Sequence, residues 1–418
     1  MIQKPRGTMD IFPDEIYIWQ HIEKTAREVA ARYGFEEIRF PTFEETALFN
    51  RGVGDTTDIV QKEMYTFSDR DGLSLSLRPE GTASVARAVI ENGKYADTLP
   101  LKYYYIINCF RYEKPQAGRS REFYQFGVEI FGAQNAAADA HVIAMGNALI
   151  QELRLKSTAL HINSIGCPEC RPKYHDALRE YFRAHSDELC ETCRKRLETN
   201  PLRILDCKSE ICSKIADTAP RTIEYLCDDC AAHFDNLKKC LDALGITYSI
   251  DTRIVRGLDY YTRTVFEFIS EGIGAQSTVC GGGRYDGLIE SVGGPRMAGI
   301  GFAMGITRLI LSMKQDGVLP EPPAGITLYI ASLGDAASVK AIEIADRLRR
   351  VGISAESDLV GRSLKAQMKY ANKAGAAYTL ILGDSELESG KAQLKKMSDG
   401  SQVEIDINNI AELKAALQ

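Results

Sequence analysis

Alternating polar and apolar residues predict two long β-strands between residues 101 and 131. The first strand is the aromatic and apolar run from Leu101 to Phe110, and the second runs from Phe123 to Phe131. Side chains on a strand point to opposite faces with a period of two. One face of the second strand is therefore an apolar core face: Tyr124, Phe126, Val128 and Ile130. The other face places an amide and a carboxylate beside aromatic rings, which is typical of a ligand-binding surface. Its residues are Phe123, Gln125, Gly127, Glu129 and Phe131.

Helical periodicity marks the N-terminal region. Apolar residues recur at three- and four-residue intervals over residues 14–33, which predicts a helix that Gly34 ends. Residues 35–40 predict a strand that stops or lies at an edge at Pro41, since proline has no backbone N–H. A subunit contact and an ordinary edge strand are equally open interpretations of that strand.

A second strand-to-helix pattern lies at residues 73–90. The alternation LSLSL predicts a strand that ends at Arg78, and a helix is expected to begin at Gly81 or Thr82. Glu80 then lies at the junction, where loops at strand ends commonly hold ligand-binding groups. A solvent-facing carboxylate near a helix N-terminus is the alternative.

The last hundred residues read as a separate domain. Residues 316–325 hold three prolines and two glycines and predict an interdomain linker. Strands and helices alternate after it, which predicts an α/β domain of about 90 residues. The strands are expected at 326–332, 353–358, 378–383 and 403–407, and the helices at 336–351, at 364–374 and from Ile410.

Length and charge narrow the class of protein. A chain of 418 residues is too long for one core and suggests two or three domains. The net charge of −6 argues against coating of nucleic acid, although a local basic patch can still contact a structured RNA. No run of about 18 apolar residues occurs, and residues 1–15 lack the apolar core of a secretory signal, so we expect no membrane span and a cytoplasmic location.

Basic residues are concentrated in the loop between the two long strands. They are Arg111, Lys114, Arg119 and Arg121, with Glu113 among them. Guanidinium groups bind phosphate in a bidentate manner, so a basic loop beside a polar sheet face indicates a phosphate-bearing substrate. A solvated hairpin loop is the simpler alternative from these residues alone.

Two later segments add candidate binding residues. A strand is expected over residues 264–269 after a loop that carries Arg256, Tyr260 and Tyr261. The sequence CGGGRYDGLI, residues 280–289, reads as flexible backbone. It is not GxGxxG following a strand in a dinucleotide-binding pattern, so it indicates no cofactor. Residues 298–315 predict a strand and then a helix, with Arg308 off the buried stripe of that helix.

Cysteines cluster in residues 165–245, which predict an inserted, mainly helical module. Its three CxxC pairs are Cys167/Cys170, Cys190/Cys193 and Cys227/Cys230. In a reducing compartment such pairs indicate metal more often than disulfides, and the first two pairs have the spacing of a four-cysteine zinc site. Zinc is therefore one hypothesis, and buried free thiols that act as small hydrophobic groups are the alternative.

Taken together, these motifs resemble the class II aminoacyl-tRNA synthetases, and within them the histidyl-tRNA synthetase family, over nearly the whole chain. FRYEKPQAGRSREFYQFGVEIFG resembles the family's motif 2, GIGFAMGITRLI its motif 3, and IRFPTFEE, more weakly, its motif 1. RGLDYYTRTVFE resembles the family's histidine signature, and RGTMDIFPDE and LRPEGTA also fit. The resemblance implies a catalytic domain on an antiparallel sheet flanked by helices (residues 1–320, interrupted by the insert at about 167–245) and an anticodon-binding α/β domain (326–418).

The resemblance also implies a role for each site residue in the formation of histidyl-adenylate from histidine and ATP. Arg111 and Arg256 would face the α-phosphate as catalytic groups, and Arg308 would hold the γ-phosphate. The other ATP-binding residues would be Glu113, Arg119, Arg121 and Phe123. The histidine-binding residues would be Glu80, Gly81, Thr82, Gln125, Glu129, Arg256, Tyr260 and Tyr261.

The implied partners are L-histidine, ATP with Mg²⁺, tRNA(His) and a second copy of the chain in a homodimer. The main alternative is the catalytically inactive, synthetase-like regulatory subunit of ATP phosphoribosyltransferase, which generally lacks the last domain. A zinc-stabilised RNA-binding module without catalysis is a third interpretation. The histidine signature and the final α/β domain both favour the ligase.

Overall fold

The computed structural model describes residues 1–54, 57–116, 118–205, 207, 209–273 and 277–418. The chain forms two compact units, Met1–Pro320 and Glu321–Gln418. No helix in the described part of the chain is long and apolar enough to cross a lipid bilayer.

The first unit is built on a large, mostly antiparallel sheet. The strands of this unit are β1 (Glu36–Glu37), β2 (Phe43–Glu45), β3 (Thr66–Ser68), β4 (Ser74–Leu77), β5 (Leu101–Phe110), β6 (Glu122–Phe131), β7 (Thr158–Ser164), β8 (Ser249–Ile250), β9 (Thr262–Ser270), β10 (Thr278–Arg284) and β11 (Gly299–Gly305). Eight of them form one sheet in the order β1-β5-β6-β11-β10-β9-β7-β8, and β2-β4-β3 form a small second sheet. Only the outer pairs β1–β5 and β7–β8 of the large sheet are parallel.

Helices cover this sheet and fill the insert. They are α1 (Pro13–Arg32), α2 (Thr46–Val53), α3 (Thr82–Glu91), α4 (Ala136–Glu152), α5 (Arg171–Ala184), α6 (Glu191–Thr199), α7 (Glu210–Asp217), α8 (Asp228–Ala243), α9 (Leu288–Ser291) and α10 (Ile306–Asp316). Shorter turns are a π-helix, Ile59–Glu63, and 3₁₀ helices at Lys94–Ala96, Pro201–Ile204 and Thr222–Glu224. The helices from α5 to α8 lie in the predicted helical insert.

The strand pattern predicted for β5 and β6 is confirmed. Strand β5 has the predicted bounds, and β6 begins one residue earlier than predicted, at Glu122. Three residues of the predicted core face of β6, Phe126, Val128 and Ile130, pack with α1 and α4 in the main hydrophobic core, and the fourth, Tyr124, is partly buried against it. Both faces of β6 are buried from Phe126 onward, but one face is apolar and the other carries Glu129. This difference sets the register of the strand, because a one-residue slip would turn the polar face into the main core.

The interpretation of residues 280–289 as flexible backbone is wrong. Residues 278–284 form β10, near the middle of the large sheet between β9 and β11. The glycines are there because neighbouring groups come too close for a side chain. A Cβ on Gly282 would lie 2.5 Å from the Phe266 ring and 2.7 Å from the Cβ of Phe302.

A buried ionic cluster ties β10 to two helices. Arg284, at the end of β10, donates hydrogen bonds to Asp139 of α4, and both residues are completely buried. The Nε2 atom of His233 on α8 lies 2.8 Å from the same carboxylate. A buried charge is tolerated when it is paired in this way, so the cluster links the insert's last helix to the sheet.

The second unit is an α/β structure with a five-stranded sheet. Its strands are β12 (Leu328–Ser332), β13 (Ala355–Ser357), β14 (Tyr378–Leu382), β15 (Lys391–Lys396) and β16 (Gln402–Asp406). Its helices are α11 (Asp335–Arg350), α12 (Leu364–Lys373), α13 (Asp384–Ser389) and α14 (Ile410–Leu417). The sheet order is β13-β12-β14-β15-β16, with β12 parallel to both of its neighbours. The four predicted strands and three predicted helices are present, while α13 and β15 were not predicted.

Candidate active site

A cavity opens on the polar face of the central strands of the large sheet. Residues from β5, β6, β10, β11, the N-terminus of α3, the basic loop and the 256–261 loop line it. Those that carry its chemistry are Glu80, Gly81, Thr82, Tyr105, Arg111, Glu113, Arg119, Phe123, Gln125, Arg256, Tyr260, Tyr261, Thr278, Gly281 and Arg308. Three segments that are distant from one another in sequence therefore supply arginines to one cavity.

Glycines on β6 and β10 leave room for side chains of the site that lie against the sheet. A Cβ on Gly281 would overlap the guanidinium of Arg256, and a Cβ on Gly127 would overlap the ring of Tyr105. At Gly283 a Cβ would lie 2.8 Å from the ring of Tyr261. Glycine thus lets an arginine and two tyrosines lie flat against the sheet.

Arg256 lies across β10 and is held by a carboxylate. It donates a hydrogen bond to Glu267 of β9, which also accepts one from the Thr278 hydroxyl at 2.8 Å. Burial disfavours the Arg256 charge, but Glu267 outweighs that effect and the pKa of Arg256 is raised. The buried Nε atom of Arg256 has no hydrogen-bond partner within the described residues.

Arg111 and Arg308 approach the cavity from two other elements. Arg111 donates to the Pro79 carbonyl at 2.9 Å, and its guanidinium lies 5.1 Å from the centre of the Phe123 ring. Arg308 of α10 donates to the carbonyls of Gly118 and Thr278 at 3.1 and 2.7 Å. Burial and the nearby charges of Arg119 and Arg111 lower the pKa of Arg308, which reflects a strongly cationic site.

The basic loop is divided between the cavity and its surroundings. Arg119 lines the cavity and forms an ion pair with Glu113 at 2.5 Å. Arg121 does not line it. Its guanidinium stacks on Tyr112, 3.8 Å from the ring centre, and its backbone N–H donates to the Gly7 carbonyl. Arg121 therefore fixes the base of the loop against the N-terminal segment.

Glu80 caps the N-terminus of α3 at the edge of the cavity. Its carboxylate accepts the backbone N–H groups of Thr82 and Ala83 at 2.7 and 2.9 Å, and the residue is 4% exposed. Burial raises the pKa of Glu80, although these two hydrogen bonds oppose the shift. These two hydrogen bonds hold both carboxylate oxygens of Glu80 in a fixed position at the edge of the cavity.

Glu129 lies beneath the cavity and does not line it. The carboxylate is completely buried and accepts hydrogen bonds from the hydroxyls of Thr82 (2.7 Å), Tyr105 (2.9 Å) and Tyr285. Thr82 and Tyr105 do line the cavity. Burial raises the pKa of Glu129 to about 8, against the lowering effect of those three hydrogen bonds. Glu129 therefore acts on the cavity by orienting two hydroxyl groups.

Glu129→Gln is expected to change how stability depends on pH. The folded state keeps the Glu129 proton up to a pKa of about 8, whereas the unfolded chain loses it near 4.5. Stability from this group is thus fully present below about pH 4.5 and is lost as the pH rises through about 8. The single tryptophan, Trp19, is buried against Tyr124 of β6 and reports unfolding of this unit.

In urea unfolding followed by Trp19 fluorescence, the free energy of unfolding should fall more steeply from pH 5 to pH 9 in the parent protein than in the Glu129→Gln variant. Parallel curves for the two proteins would contradict this account of Glu129.

The structure brings most of the predicted site residues together and adds others. Arg121 and Glu129 are the two predicted binding residues outside the cavity lining. Sequence reasoning missed Tyr105, Tyr285 and Glu267. Tyr105 could have been found from the pairing of the two predicted strands. It lies opposite Gly127, whose missing side chain leaves space for the tyrosine ring.

Cysteines of the insert lie in two groups, each of four thiols whose sulfur atoms are all within 4.8 Å of one another. The first group is Cys167, Cys170, Cys227 and Cys230, and the second is Cys190, Cys193, Cys207 and Cys212. The first two CxxC pairs, whose spacing suggested a shared site, are therefore in different groups. Cys207 and Cys212 were not among the predicted ligands.

Comparison with known proteins agrees with this architecture. A family model described as histidyl-tRNA synthetase matches residues 7–309, and one described as an anticodon binding domain matches residues 327–415. The chain is 55% identical to a histidine–tRNA ligase of Caldanaerobacter subterraneus subsp. tengcongensis, with 98% of each chain covered. It is 54% identical to that of Acetivibrio thermocellus, again with 98% of each chain covered.

A solved structure gives the same result. The apo histidyl-tRNA synthetase of S. aureus matches with a TM-score of 0.83 and 39% identity, covering 100% of this chain and 99% of that one. The large sheet flanked by helices and the C-terminal sheet domain are those of a class II synthetase. The chain therefore belongs to the histidyl-tRNA synthetase family, and its activity is that of a histidine–tRNA ligase.

Proposed function

We propose that the cavity on the polar face of the large sheet carries out both steps of histidine–tRNA ligation. In the first step the carboxylate of histidine attacks the α-phosphorus of ATP, which gives histidyl-adenylate and diphosphate. In the second, a hydroxyl of the terminal ribose of tRNA(His) attacks the acyl carbon, and AMP leaves. The observation that carries the proposal is the convergence of Arg111, Arg256 and Arg308 on one cavity.

The arginines form the phosphate side of the proposed site. Arg111 and Arg256 would contact the α-phosphate, where negative charge grows as the carboxylate attacks, and Arg308 would hold the γ-phosphate. Preorganised cations at the position where charge develops are usually the largest contribution to such catalysis. Glu267 and the Thr278 carbonyl support this role, because they fix two of these guanidinium groups before any ligand binds.

Adenine would occupy the space beside the basic loop. The Phe123 ring is the proposed stacking surface, and the Arg111 guanidinium already lies over that ring. Glu113, paired with Arg119, is the proposed contact near the adenine or the amine. Arg121 holds the base of this loop through Tyr112 and Gly7 and would act on ATP only through the loop's position.

Histidine would bind between the N-terminus of α3 and the 256–261 loop. Its ammonium and imidazole groups need acceptors and hydroxyls, and the cavity supplies Glu80, Thr82, Gln125, Tyr260 and Tyr261. Gly81 leaves room there, since a Cβ would lie 2.6 Å from the Tyr105 ring. Glu129 would set the orientation of the Thr82 and Tyr105 hydroxyls. A site built to pair a two-nitrogen ring rejects side chains that would leave its polar groups unpaired.

No protein base is required in the first step, because the histidine carboxylate is already ionised and is itself the nucleophile. The protein then contributes position and charge stabilisation. Mg²⁺ supplies charge neutralisation on the triphosphate and would be carried by ATP and not by a dedicated protein cage. Four arginines and one stacking ring along the cavity wall are a donor set that fits a triphosphate nucleotide.

The rest of the chain would serve tRNA binding and assembly. We assign residues 1–320 to catalysis, with the insert at about 167–245 in contact with the tRNA acceptor arm, residues 316–325 to a linker and residues 326–418 to the anticodon. A cytoplasmic homodimer is the proposed working form. The match of residues 327–415 to an anticodon binding domain supports the assignment of the C-terminal unit.

A histidine-dependent exchange of labelled diphosphate into ATP tests the proposal. Exchange should require L-histidine and should not occur with the other amino acids, and tRNA(His) should then become charged. Pure protein that shows no exchange would contradict the proposal and would favour the regulatory-subunit interpretation. Exchange without charging of tRNA would contradict the second step alone.

A further inference from the structure

We propose that the insert is a two-zinc module, in which each ion is held by four cysteine thiolates. The first cysteine cluster is Cys167, Cys170, Cys227 and Cys230, and the second cysteine cluster is Cys190, Cys193, Cys207 and Cys212. This inference is independent of the proposed catalytic roles, because none of these eight cysteines faces the ligand cavity.

The sulfur positions fit tetrahedral zinc. A zinc–sulfur bond of about 2.3 Å gives sulfur–sulfur edges of about 3.8 Å in a tetrahedron. Cys167 Sγ lies 3.7 Å from Cys170 Sγ and 3.8 Å from Cys227 Sγ. In the second cluster the Sγ atoms of Cys190 and Cys207 are 3.9 Å apart. The spacing in both clusters is that of four thiolates around one ion.

Disulfides, an iron–sulfur cluster and simple core packing fit the two cysteine clusters less well than zinc does. Disulfide sulfurs are about 2.05 Å apart, and all eleven cysteines of the chain are free thiols in this structure. A four-iron cluster places irons and sulfides between the thiolates and requires the thiolates to be farther apart than 4.8 Å. Thiols that merely fill a core need no four-fold convergence, and four of the eight are only half-buried. A mononuclear ion that prefers sulfur is the remaining occupant.

The secondary structure places the clusters where anionic sulfur is favoured. Cys170, Cys190 and Cys227 precede the first turns of α5, α6 and α8, and Cys212 lies in the first turn of α7. The positive ends of these helices stabilise thiolate charge. Backbone N–H groups also point at sulfur, since Cys227 donates to Cys170 Sγ at 3.1 Å and Cys190 donates to Cys212 Sγ at 3.3 Å.

The first cysteine cluster joins the two ends of the insert next to the proposed histidine site. Cys167 follows β7, and Cys227 begins the return through α8. Gly166, beside Cys167, accepts hydrogen bonds from Arg263 N at 2.9 Å and from the Thr262 hydroxyl at 3.1 Å. An ion in this cluster would therefore fix the backbone that carries Tyr261.

The second cysteine cluster fixes the other side of the same loop. Between Cys193 and Cys207 lies Arg203, which donates to the Gly257 carbonyl at 2.7 Å and pairs with Asp259 at 3.3 Å. Both clusters have four protein ligands and no open position, so the zinc would be structural and would take no part in the chemical step.

Metal analysis of full-length protein purified without added metal tests the proposal. The parent protein should contain two zinc ions per chain, and Cys230→Ser and Cys193→Ser should each contain one. Cys240→Ser is the matched control, because Cys240 lies in α8 outside both clusters, and it should retain two. Zinc near zero in the parent protein, iron in place of zinc, or unchanged zinc in both cluster variants would overturn the proposal.

A measurement on the parent protein covers the case in which a variant fails to fold. Titration with an organomercurial reagent, with a zinc-sensitive dye present, should release two zinc ions per chain as the cluster thiols react. Reaction of those thiols without zinc release would overturn the proposal as well.

Discussion

Replacing Arg256 with alanine is expected to reduce histidine-dependent diphosphate exchange by about 10³-fold or more while the protein stays folded. The guanidinium is the buried cation that would face the α-phosphate, and loss of one preorganised donor commonly costs 10²–10³ in rate. Arg256 also carries a full charge, which adds to the effect. The fold should survive, because the partner Glu267 retains its hydrogen bond from Thr278.

Two further variants separate catalysis from simple disturbance of the site. Arg253→Ala removes an exposed arginine three residues away that pairs with Asp217, and it should leave exchange within about two-fold of the parent rate. Arg256→Ala combined with Glu267→Gln removes the stray carboxylate charge as well. If that double variant regains most of the activity, repulsion by Glu267 caused the loss, and Arg256 does not have the assigned role. Trp19 fluorescence and circular dichroism report the fold of each variant.

Gly281→Ala should reduce exchange by about 10²-fold although it neither removes nor adds an ionisable group. The new methyl group would overlap the Arg256 guanidinium, and the end of that flexible side chain can move away while the sheet remains intact. Displacement of a positioning group by about 1 Å is enough for a loss of that size. The measurement is exchange together with the midpoint of thermal unfolding.

Gly287→Ala is the control for this change. Gly287 has a φ of −94°, which alanine accepts, and no atom of the described residues lies within 4 Å of the added carbon. It should therefore keep parental exchange. Equal activity of the Gly281→Ala variant and the parent protein would show that Arg256 need not lie against β10 during catalysis.

The strands that carry the site could be predicted because their pattern is local. Strand β6 alternates so regularly that its apolar face and its polar face follow from the period of two. The structure places the apolar face against the main core and confirms the bounds to within one residue. The helix α10 could be predicted for the same reason, with Arg308 off its apolar stripe.

Features that depend on partners distant in sequence could not be predicted this way. Strand β10 was interpreted as flexible because its glycines are adapted to Arg256 and Tyr261, which lie in another segment of the chain. The helix α4 was missed since it is buried on most sides and has no amphipathic period. Strand β15 has only Ala392 and Leu394 buried among lysines and a glutamine, too few apolar residues for a strand pattern.

The cysteine clusters show the same limit. Spacing along the chain joined the first CxxC pair to the second, whereas the fold brings Cys227 back to Cys167 over 60 residues. Glu129 is a related example, because the strand period placed it correctly on the polar face but could not show that Tyr105 and Thr82 cover it. The sequence showed which residue types could bind a ligand or a metal. Only the fold showed which of them lie together and which are covered by other side chains.

The most direct test of the central claim is a crystal structure of the protein soaked with L-histidine and a non-hydrolysable ATP analogue. We predict a triphosphate within hydrogen-bonding distance of the guanidinium groups of Arg111, Arg256 and Arg308. The adenine should stack on Phe123, and the imidazole should lie among Thr82, Gln125 and Tyr261. A nucleotide bound elsewhere, or one that leaves those three arginines out of reach in a fully occupied site, would contradict the account.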